Sequence, residues 1–159
     1  MKIKILFVCL GNICRSPAAE SILRKAVENS DLRGLIETDS AGTYGGHAGQ
    51  PSDERMRRAA ARRGYAMTHL ARQIHSEDFE MFDLIVVMDD NNYEQVHRSA
   101  PSRALAQKIF RMAEFCHTSD CTYIPDPYYE GHAGFERVLD LLEDGCDGIL
   151  QYLKNQSRS

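Results

Sequence analysis

Residues 84–88, Leu-Ile-Val-Val-Met, form an uninterrupted apolar run in which β-branched side chains predominate. Such a run is typical of a strand in a parallel sheet, because helices cover both faces of that sheet and leave no face for polar side chains. Residues 3–8, apolar except for Lys4, predict a second buried strand, and from Pro17 onward apolar residues recur at helical spacing. The chain is therefore predicted to begin with a strand, a short loop and a helix.

The rest of the chain continues this alternation. The further predicted elements, in chain order, are a strand at 35–41, an exposed Gly-rich loop at 42–52, a helix at 53–63, the strand at 84–88, a helix from 89 to about 97, a helix from 102 leading into a short strand near 108–112, a loop at 117–134 and an amphipathic helix at 133–154. We therefore predict an α/β fold of one domain, residues 1–159, with a small parallel sheet of about four strands, helices on both faces and a flavodoxin-like arrangement.

Composition and charge exclude several classes of protein. The 159 residues are 43% hydrophobic, which suits one core, and the net charge of -4 comes from interleaved acidic and basic residues without a basic stripe for nucleic acid. No apolar run has the length of a membrane span, and residues 5–10 are too short for a signal peptide. We therefore expect neither a nucleic-acid nor a membrane partner. The odd count of five cysteines indicates a reduced, cytoplasmic compartment.

Two of the cysteines, Cys116 and Cys121, lie close together with His117 between them. They resemble half of a zinc site, but no second pair of ligands stands at a spacing that would complete a tetrahedron. We expect neither a metal nor a cofactor.

The loop after the first strand carries the residues that point to a reaction. Between Cys9 and Arg15 the chain is predicted to turn into a helix capped by Ser16, with Pro17 at its first position. The free N–H groups and positive dipole end of a helix N-terminus favour an anion, and a guanidinium can hold two phosphate oxygens at once. These surroundings also favour the thiolate form of Cys9, which would lie below a bound phosphoryl group, in position for in-line attack.

A cysteine that ends a buried strand can also be a plain small apolar residue, and a Cys and an Arg six residues apart occur together by chance. Here a strand, a loop with Gly11, a potential cap, a proline and a helix follow one another in order. This context favours the phosphate-binding interpretation.

The same stretch resembles the signature V-C-x-G-N-x-C-R-S-P of the low-molecular-weight protein tyrosine phosphatases. The matching residues are Val8, Cys9, Gly11, Asn12, Cys14, Arg15, Ser16 and Pro17. The resemblance continues in the family's order through residues 39–43, 51–53, 69–73, 83–89 and 126–129. It implies a metal-independent phosphotyrosine protein phosphatase that works through a cysteinyl-phosphate intermediate.

Asp126 is the candidate general acid, since an expelled phenoxide is a poor leaving group until it is protonated. From the residues alone, an Asp between Pro125 and Pro127 fits a structural turn equally well. The resemblance implies that Asp126 is the general acid, and then the base that activates water against the phosphorylated cysteine. It thus implies the catalytic set Cys9, Arg15 and Asp126.

The resemblance also implies supporting residues. Asn12, Ser40 and His69 match residues that hold the loop by hydrogen bonds, and Ser16 is expected both to cap the helix and to donate its hydroxyl to the thiolate. The phosphate is expected to contact the whole loop, which comprises Leu10, Gly11, Asn12, Ile13, Cys14, Arg15 and Ser16.

Apolar and aromatic residues are expected to form the substrate rim. They are Leu10, Ile13, Tyr44, Tyr128 and Tyr129. A flat phenyl ring suits aromatic walls, although each tyrosine taken singly could equally pack onto the domain. Many relatives carry Trp or Tyr where this chain has Gly46, so either Tyr44 replaces that wall or the cleft is more open and less selective for aryl phosphates.

Oxidation could join Cys9 and Cys14 across the loop, which would protect the nucleophile from further oxidation. The alternative is that Cys14 is a small residue that fits a tight loop. The resemblance favours a redox role.

Two other functions compete with this interpretation. A thioredoxin-coupled arsenate reductase has a similar first loop but relays a disulfide through cysteines just after the strand that corresponds to residues 84–88, where this chain has none. A non-catalytic phosphotyrosine binder has no need of Cys9, Ser16 and Asp126 together. The expected partners are therefore phosphotyrosine-bearing proteins, among which an autophosphorylating tyrosine kinase is a candidate, with inorganic phosphate as product.

Overall fold

A four-stranded parallel sheet with strand order β2-β1-β3-β4 lies at the centre of the computed structural model, which describes residues 2–157. The elements are β1 (Ile3–Cys9), α1 (Arg15–Glu28), β2 (Ile36–Gly42), α2 (Glu54–Arg62), α3 (Asp78–Met81), β3 (Leu84–Val87), α4 (Asp90–Ser99), α5 (Arg103–Ala106), β4 (Ile109–Arg111), a 3-10 turn (Met112–Phe115) and α6 (His132–Ser157). The predicted α/β fold is confirmed. Over the described residues, no helix is both long and apolar enough to cross a bilayer.

Two hydrophobic cores cover the two faces of the sheet. On one face Ile5 and Phe7 of β1 pack with residues of α1, α2 and α6, and on the other Leu6 and Val8 pack with Phe79 and residues of α4. Side chains of a strand alternate between faces, so the fully buried part of β1, residues 5–9, has to be apolar at every position between two such layers. The continuous apolar runs that predicted these strands follow from this burial.

The carboxyl ends of three strands meet at one edge of the sheet. In the parallel register Cys9 lies opposite Gly42, and Val8 lies opposite Val87. The loops after β1, β2 and β3 therefore converge, and they bring together residues 10–14, residues 43–52 and Asp89. Ligands bind beyond this edge in open parallel sheets.

The start of α1 differs from the prediction. The helix begins at Arg15, Cys14 is its N-cap residue without a side-chain cap bond, and Ser16 and Pro17 are its second and third residues. The predicted cap at Ser16 and the predicted first position for Pro17 are wrong. The Ser16 hydroxyl contacts Cys9 and Asn12 instead of the helix backbone.

The other boundaries lie close to those predicted. Asp53 caps α2 by accepting from the backbone N–H groups of Arg55 and Met56, and Gly64, with φ +88°, follows the helix. The single turn α3 was not predicted, since four residues are too few to show a helical period.

Candidate active site

The Cys9 sulfur lies at the end of β1, beneath the first turn of α1. Its Sγ is 3.0 Å from the Ser16 hydroxyl oxygen and 3.5 Å from the Ser16 backbone nitrogen, which donates to it. Cys9 is buried. A sulfur at this position receives the field of the helix N-terminus, which stabilises negative charge.

Asn12 fixes the path of the loop. It has φ +57°, a left-handed conformation that asparagine tolerates better than most residues. Its side-chain nitrogen donates to the hydroxyls of Ser16 (2.8 Å) and Ser40 (3.0 Å). Its side-chain oxygen lies 2.8 Å from Nε2 of His69 and accepts from the backbone N–H of Arg72 (2.9 Å). The structure thus brings Asn12, Ser40 and His69 together at the back of the loop.

A buried carboxylate, Glu20, contacts two of these supporting residues, Ser40 and His69. The Ser40 hydroxyl donates to Glu20 Oε1 at 2.7 Å, and Nδ1 of His69 lies 3.4 Å from the same oxygen and 3.5 Å from Oδ1 of Asp39. Sequence reasoning missed Glu20, although a glutamate on the buried face of a helix is an unusual residue that needs a partner.

Glu20, Asp39 and His69 together offer three ligand atoms within 4.8 Å of one another, which could hold a cation. The same side chains are engaged in the hydrogen bonds that hold the loop, and Asp39 is also paired with Arg72 at 3.1 Å. Their arrangement therefore fits a loop support better than a metal centre.

Arg15 lies under the loop with only 3% of its side chain exposed. Its Nη1 donates to Oδ2 of Asp89 (2.6 Å) and to the carbonyl of Ile124 (3.0 Å), and its Nη2 lies 3.8 Å from Oδ2 of Asp126. Burial would lower the pKa of Arg15, but the charges of Cys9, Asp89 and Asp126 outweigh it and raise this pKa. The Arg15 guanidinium is therefore a fixed positive charge near both the Cys9 thiol and Asp126, which is distant only in the sequence.

Asp126 reaches the site on the long segment before α6. Its side chain is 43% exposed, and Oδ1 accepts from the backbone N–H of Tyr128 at 3.1 Å. The segment is anchored nearby, because the Ile124 N–H donates to the Met88 carbonyl at 2.8 Å. Asp126, Cys9 and Arg15 all line one pocket.

The predicted rim residues line the same pocket. They are Leu10, Ile13, Tyr44, Tyr128 and Tyr129, joined by Gly11 and Cys14 of the loop. The two adjacent tyrosines pack edge to face with centroids 5.0 Å apart, and Tyr129 is 94% exposed. The guanidinium of Arg55 lies 5.1 Å from the Tyr128 ring centroid and adds a cation–π contact.

The Tyr44 side chain lies against Gly46. A Cβ atom built on Gly46 would stand 2.0 Å from the Tyr44 hydroxyl oxygen. His47 packs edge to face on Tyr44 at 5.7 Å, and it also lies against the loop, since a Cβ on Gly11 would come within 3.1 Å of its ring. His47 lines the pocket and was missed, because a Gly-rich loop has no periodicity that tells which side chains face inward.

Cys14 is buried at the end of the loop that follows Cys9. Burial raises the pKa of its thiol, and the charges of Asp53 and Cys9 raise it further. All five cysteines lie within residues 2–157, and each is a free thiol there.

A thiol, a guanidinium and the N-terminus of a helix lie together at one pocket, and this combination is typical of the cysteine-dependent phosphatase class. The family model described as low molecular weight phosphotyrosine protein phosphatase matches residues 4–159. The chain belongs to this family.

Individual relatives are similar over nearly their whole length. A low molecular weight protein-tyrosine-phosphatase of Streptomyces coelicolor is 39% identical over 158 residues, which cover 98% of this chain and 96% of that protein. The human low molecular weight phosphotyrosine protein phosphatase is 37% identical over 147 residues, or 92% and 93% of the two chains. A crystal structure of a protein tyrosine phosphatase from Entamoeba histolytica matches with TM-score 0.95 and 46% identity over 98% and 99% of the chains. The predicted family and enzyme class, a protein tyrosine phosphatase acting on phosphoproteins, are confirmed, and the arsenate reductase alternative is not supported.

Proposed function

We propose that this chain hydrolyses phosphotyrosine in proteins in two steps, with Cys9 as nucleophile, Arg15 as phosphate clamp and Asp126 as general acid and then base. The observation that carries the proposal is the position of Arg15, whose guanidinium stands 3.8 Å from Asp126 and under the loop that holds Cys9. A phosphate on Arg15 would have the thiolate on one side and the carboxyl group on the other.

In the first step the Cys9 thiolate attacks phosphorus in line with the tyrosine oxygen. The sulfur–phosphorus bond forms as the phosphorus–oxygen bond breaks, and Asp126 gives its proton to the departing phenolate. Arg15 and the N-terminus of α1 balance the charge of the equatorial oxygens. The Ser16 hydroxyl, 3.0 Å from the sulfur, stabilises the thiolate before the attack.

In the second step Asp126, now a carboxylate, takes a proton from water as the water oxygen attacks phosphorus. The sulfur–phosphorus bond breaks, and inorganic phosphate and the Cys9 thiolate are released. Hydrogen bonding from Ser16 also makes the thiolate a better leaving group. These steps need no metal or cofactor, because residues of the chain supply the positive charge and move the proton.

The rim residues are proposed to select a phenyl ring. Tyr44, supported by His47, lines the pocket together with Tyr128 and with Leu10 and Ile13 of the loop. Aromatic contacts of this kind contribute roughly 0.5–1.5 kcal/mol each. The proposed substrate is then a phosphotyrosine-bearing protein. An autophosphorylating tyrosine kinase carries this group and is one candidate.

Two further properties complete the proposal. Free thiols at all five cysteines, every one within the described residues, suit a reduced compartment, so we place the enzyme in the cytoplasm. Cys14 is proposed to form a reversible disulfide with an oxidised Cys9, since both side chains line the same pocket.

The test is hydrolysis of p-nitrophenyl phosphate at mildly acid pH with EDTA and a reducing agent present. We expect Cys9→Ser to abolish turnover and Asp126→Ala to lower kcat roughly 10²- to 10⁴-fold, the usual contribution of a general acid. Asp120→Ala, which removes an exposed carboxylate from the same segment, is the control and should leave kcat unchanged. An inactive natural protein, or an active Cys9→Ser variant, would show that the proposed mechanism is wrong.

A further inference from the structure

A short segment that contacts the loop between β1 and α1, residues 69–73, lies outside the regular helices and strands. It is bonded to the end of β2, because the backbone N–H of Gly42 donates to the carbonyl oxygen of Arg72 at 2.9 Å. The backbone N–H of Arg72 in turn donates to Oδ1 of Asn12, also at 2.9 Å. The position of the Arg72 backbone therefore decides whether Asn12 keeps this bond.

The side chain of Arg72 reaches a different element of the fold. Its Nη1 and Nη2 each donate to one carboxylate oxygen of Asp78, both at 3.0 Å, and Nη2 also donates to Oδ2 of Asp39 at 3.1 Å. Asp78 is buried and is the first residue of α3. A guanidinium that is bonded through two nitrogens to one carboxylate is fixed in orientation as well as in position. Arg72 thus joins Asn12 through its backbone to α3 through its side chain.

Helix α3 is a single turn, but it is firmly anchored. Phe79 and Phe82 are buried in the core that covers this face of the sheet. The ammonium group of Lys108, just before β4, donates to the carbonyl oxygens of Phe79 (2.8 Å) and Phe82 (3.0 Å). Asp78 also accepts from the backbone N–H of His75 at 2.8 Å. The carboxylate that receives the guanidinium is therefore held at a defined place.

The ion pair between Arg72 and Asp78 differs from an exposed surface pair. Burial would lower the pKa of Arg72, but Asp78 and Asp39 outweigh it and raise this pKa, so the guanidinium stays charged. Within the described residues, Arg72 is the cation that pairs with Asp78. A buried carboxylate that loses its cation is strongly destabilised, whereas an exposed pair contributes little. The link between the two residues is therefore persistent.

We propose that Arg72 is a positioning residue for anion binding: its ion pair with Asp78 fixes the backbone N–H that holds Asn12, and thereby the loop, in the conformation that binds phosphate. Arg72 lies outside the residues that line the pocket and acts through Asn12. Asn12 donates to the Ser16 hydroxyl, which lies 3.0 Å from the Cys9 sulfur. Without the ion pair the loop would occupy several conformations, and the affinity for an anion would fall with the fraction that is competent to bind.

Three variants and one matched control test this role. Arg72→Gln removes the charge, Arg72→Lys keeps the charge but loses the contact through two nitrogens, and Asp78→Asn removes the charge of the partner at nearly constant size. Arg63→Gln is the control, because the Arg63 side chain is 22% exposed against 26% for Arg72 and pairs with Glu136 (2.8 Å) and Glu143 (2.6 Å) of α6. Urea unfolding identifies the variants that are folded under the assay conditions, and Arg72→Lys and Asp78→Asn are the milder changes.

The first measurement is the dissociation constant of inorganic phosphate, obtained by isothermal titration calorimetry with a reducing agent present. We expect it to rise roughly 2- to 10-fold in Arg72→Gln and Asp78→Asn, the value of one hydrogen bond, and to recover in part in Arg72→Lys. Arg63→Gln should bind phosphate as the natural protein does. Unchanged affinity in the folded variants of Arg72 and Asp78, an equal loss in Arg63→Gln, or a natural protein that binds no phosphate would overturn the proposal.

The second measurement follows hydrogen exchange of the Arg72 backbone amide by NMR, without phosphate, in the natural protein and in Asp78→Asn, where residue 72 itself is unchanged. We expect this amide to exchange several-fold faster in the variant, while the amide of Phe7 in β1 exchanges at the same rate in both proteins, because the opening is local. Equal exchange at Arg72 in the two proteins would show that Asp78 does not hold this backbone.

Any effect of Arg72 on turnover rests on the proposed function, whereas phosphate binding and amide exchange do not need the reaction. A natural protein that binds phosphate but does not hydrolyse p-nitrophenyl phosphate would contradict the proposed function and leave the role of Arg72 to be decided by the two measurements. The two proposals therefore fail on different observations.

Discussion

Nη1 of Arg15 lies 2.6 Å from Oδ2 of Asp89, although the two residues are 74 positions apart in the chain. The other oxygen of Asp89 accepts from the backbone N–H of Asn92 and caps α4. The carboxylate of Asp89 thus caps α4 with one oxygen and holds the guanidinium of Arg15, the first residue of α1, with the other.

Replacing Asp89 with Asn should weaken this placement of Arg15. A hydrogen bond to a charged group contributes about 1.5–3 kcal/mol, so kcat/KM for p-nitrophenyl phosphate is expected to fall by one to two orders of magnitude. Asp90→Asn is the control, since Asp90 is exposed and pairs with Arg111 outside the pocket. An equal effect of the two substitutions, measured by steady-state kinetics, would contradict the prediction.

Gly46→Ala should displace Tyr44, because the new Cβ would stand 2.0 Å from the tyrosine hydroxyl oxygen. We expect the preference for aryl over alkyl phosphates to fall by roughly two- to tenfold, the value of one aromatic contact, and Tyr44→Ala to do the same. Gly131→Ala is the matched control, since a Cβ there meets no atom within 4 Å. The ratio of kcat/KM for phenyl phosphate and an alkyl phosphate is the measurement, and an unchanged ratio in both pocket variants would refute this role for Tyr44.

Cys14→Ser should impair recovery from oxidation. Peroxide is expected to inactivate the natural enzyme reversibly through a bond between Cys9 and Cys14, whereas the variant leaves an oxidised Cys9 open to irreversible steps. Activity regained with dithiothreitol is the measurement. Complete and equal recovery in both proteins would mean that Cys14 does not protect Cys9.

Because of Asp144, the free energy of unfolding should decrease as the pH falls through the acid range. Burial would raise the pKa of Asp144, but the N–H donors of His117, Thr118 and Ser119 outweigh it and lower the pKa to about 2 from 3.8. The folded protein favours the carboxylate, so this stabilisation is complete above about pH 4 and is lost as the pH falls toward 2.

The variant Asp144→Asn should therefore unfold at lower urea concentration near neutral pH, with a smaller difference from the natural protein at about pH 3. Asp147→Asn is the control, because Asp147 contacts His117 at 2.7 Å from an exposed position and such pairs contribute little. A difference between Asp144→Asn and the natural protein that stays constant from neutral to acid pH would contradict the prediction.

The sequence predicted the order of strands and helices because local burial fixes it. A strand that lies between two helical layers must be apolar at every buried position, and residues 5–8 and 84–88 are apolar throughout. Helix boundaries were predicted less well. Ser16 has the chemistry of a cap, and only the folded chain gives its hydroxyl other partners, Cys9 and Asn12.

Contacts between residues that are far apart in the sequence could not be predicted from local sequence patterns. The sequence predicted that a helix begins at Asp89, but the contact of Asp89 with Arg15 depends on how two strands pair. His47 has no local pattern that marks it as a neighbour of the loop. Glu20 is marked as unusual by its place on a buried helix face, but this does not identify its partners. The placement of His69 came from family resemblance rather than from spacing.

The side-chain amide of Asn12 has two N–H donors and an oxygen that can accept twice, and all four are used by Ser16, Ser40, His69 and Arg72. The loop is therefore preorganised: the entropy of ordering it is lost when the chain folds and not when an anion binds. Tetrahedral oxyanions of the size of phosphate, such as sulfate and arsenate, meet the same rigid ring. Their rank as competitive inhibitors should then follow anion charge and hydrogen-bond strength, with little contribution from adaptation of the protein.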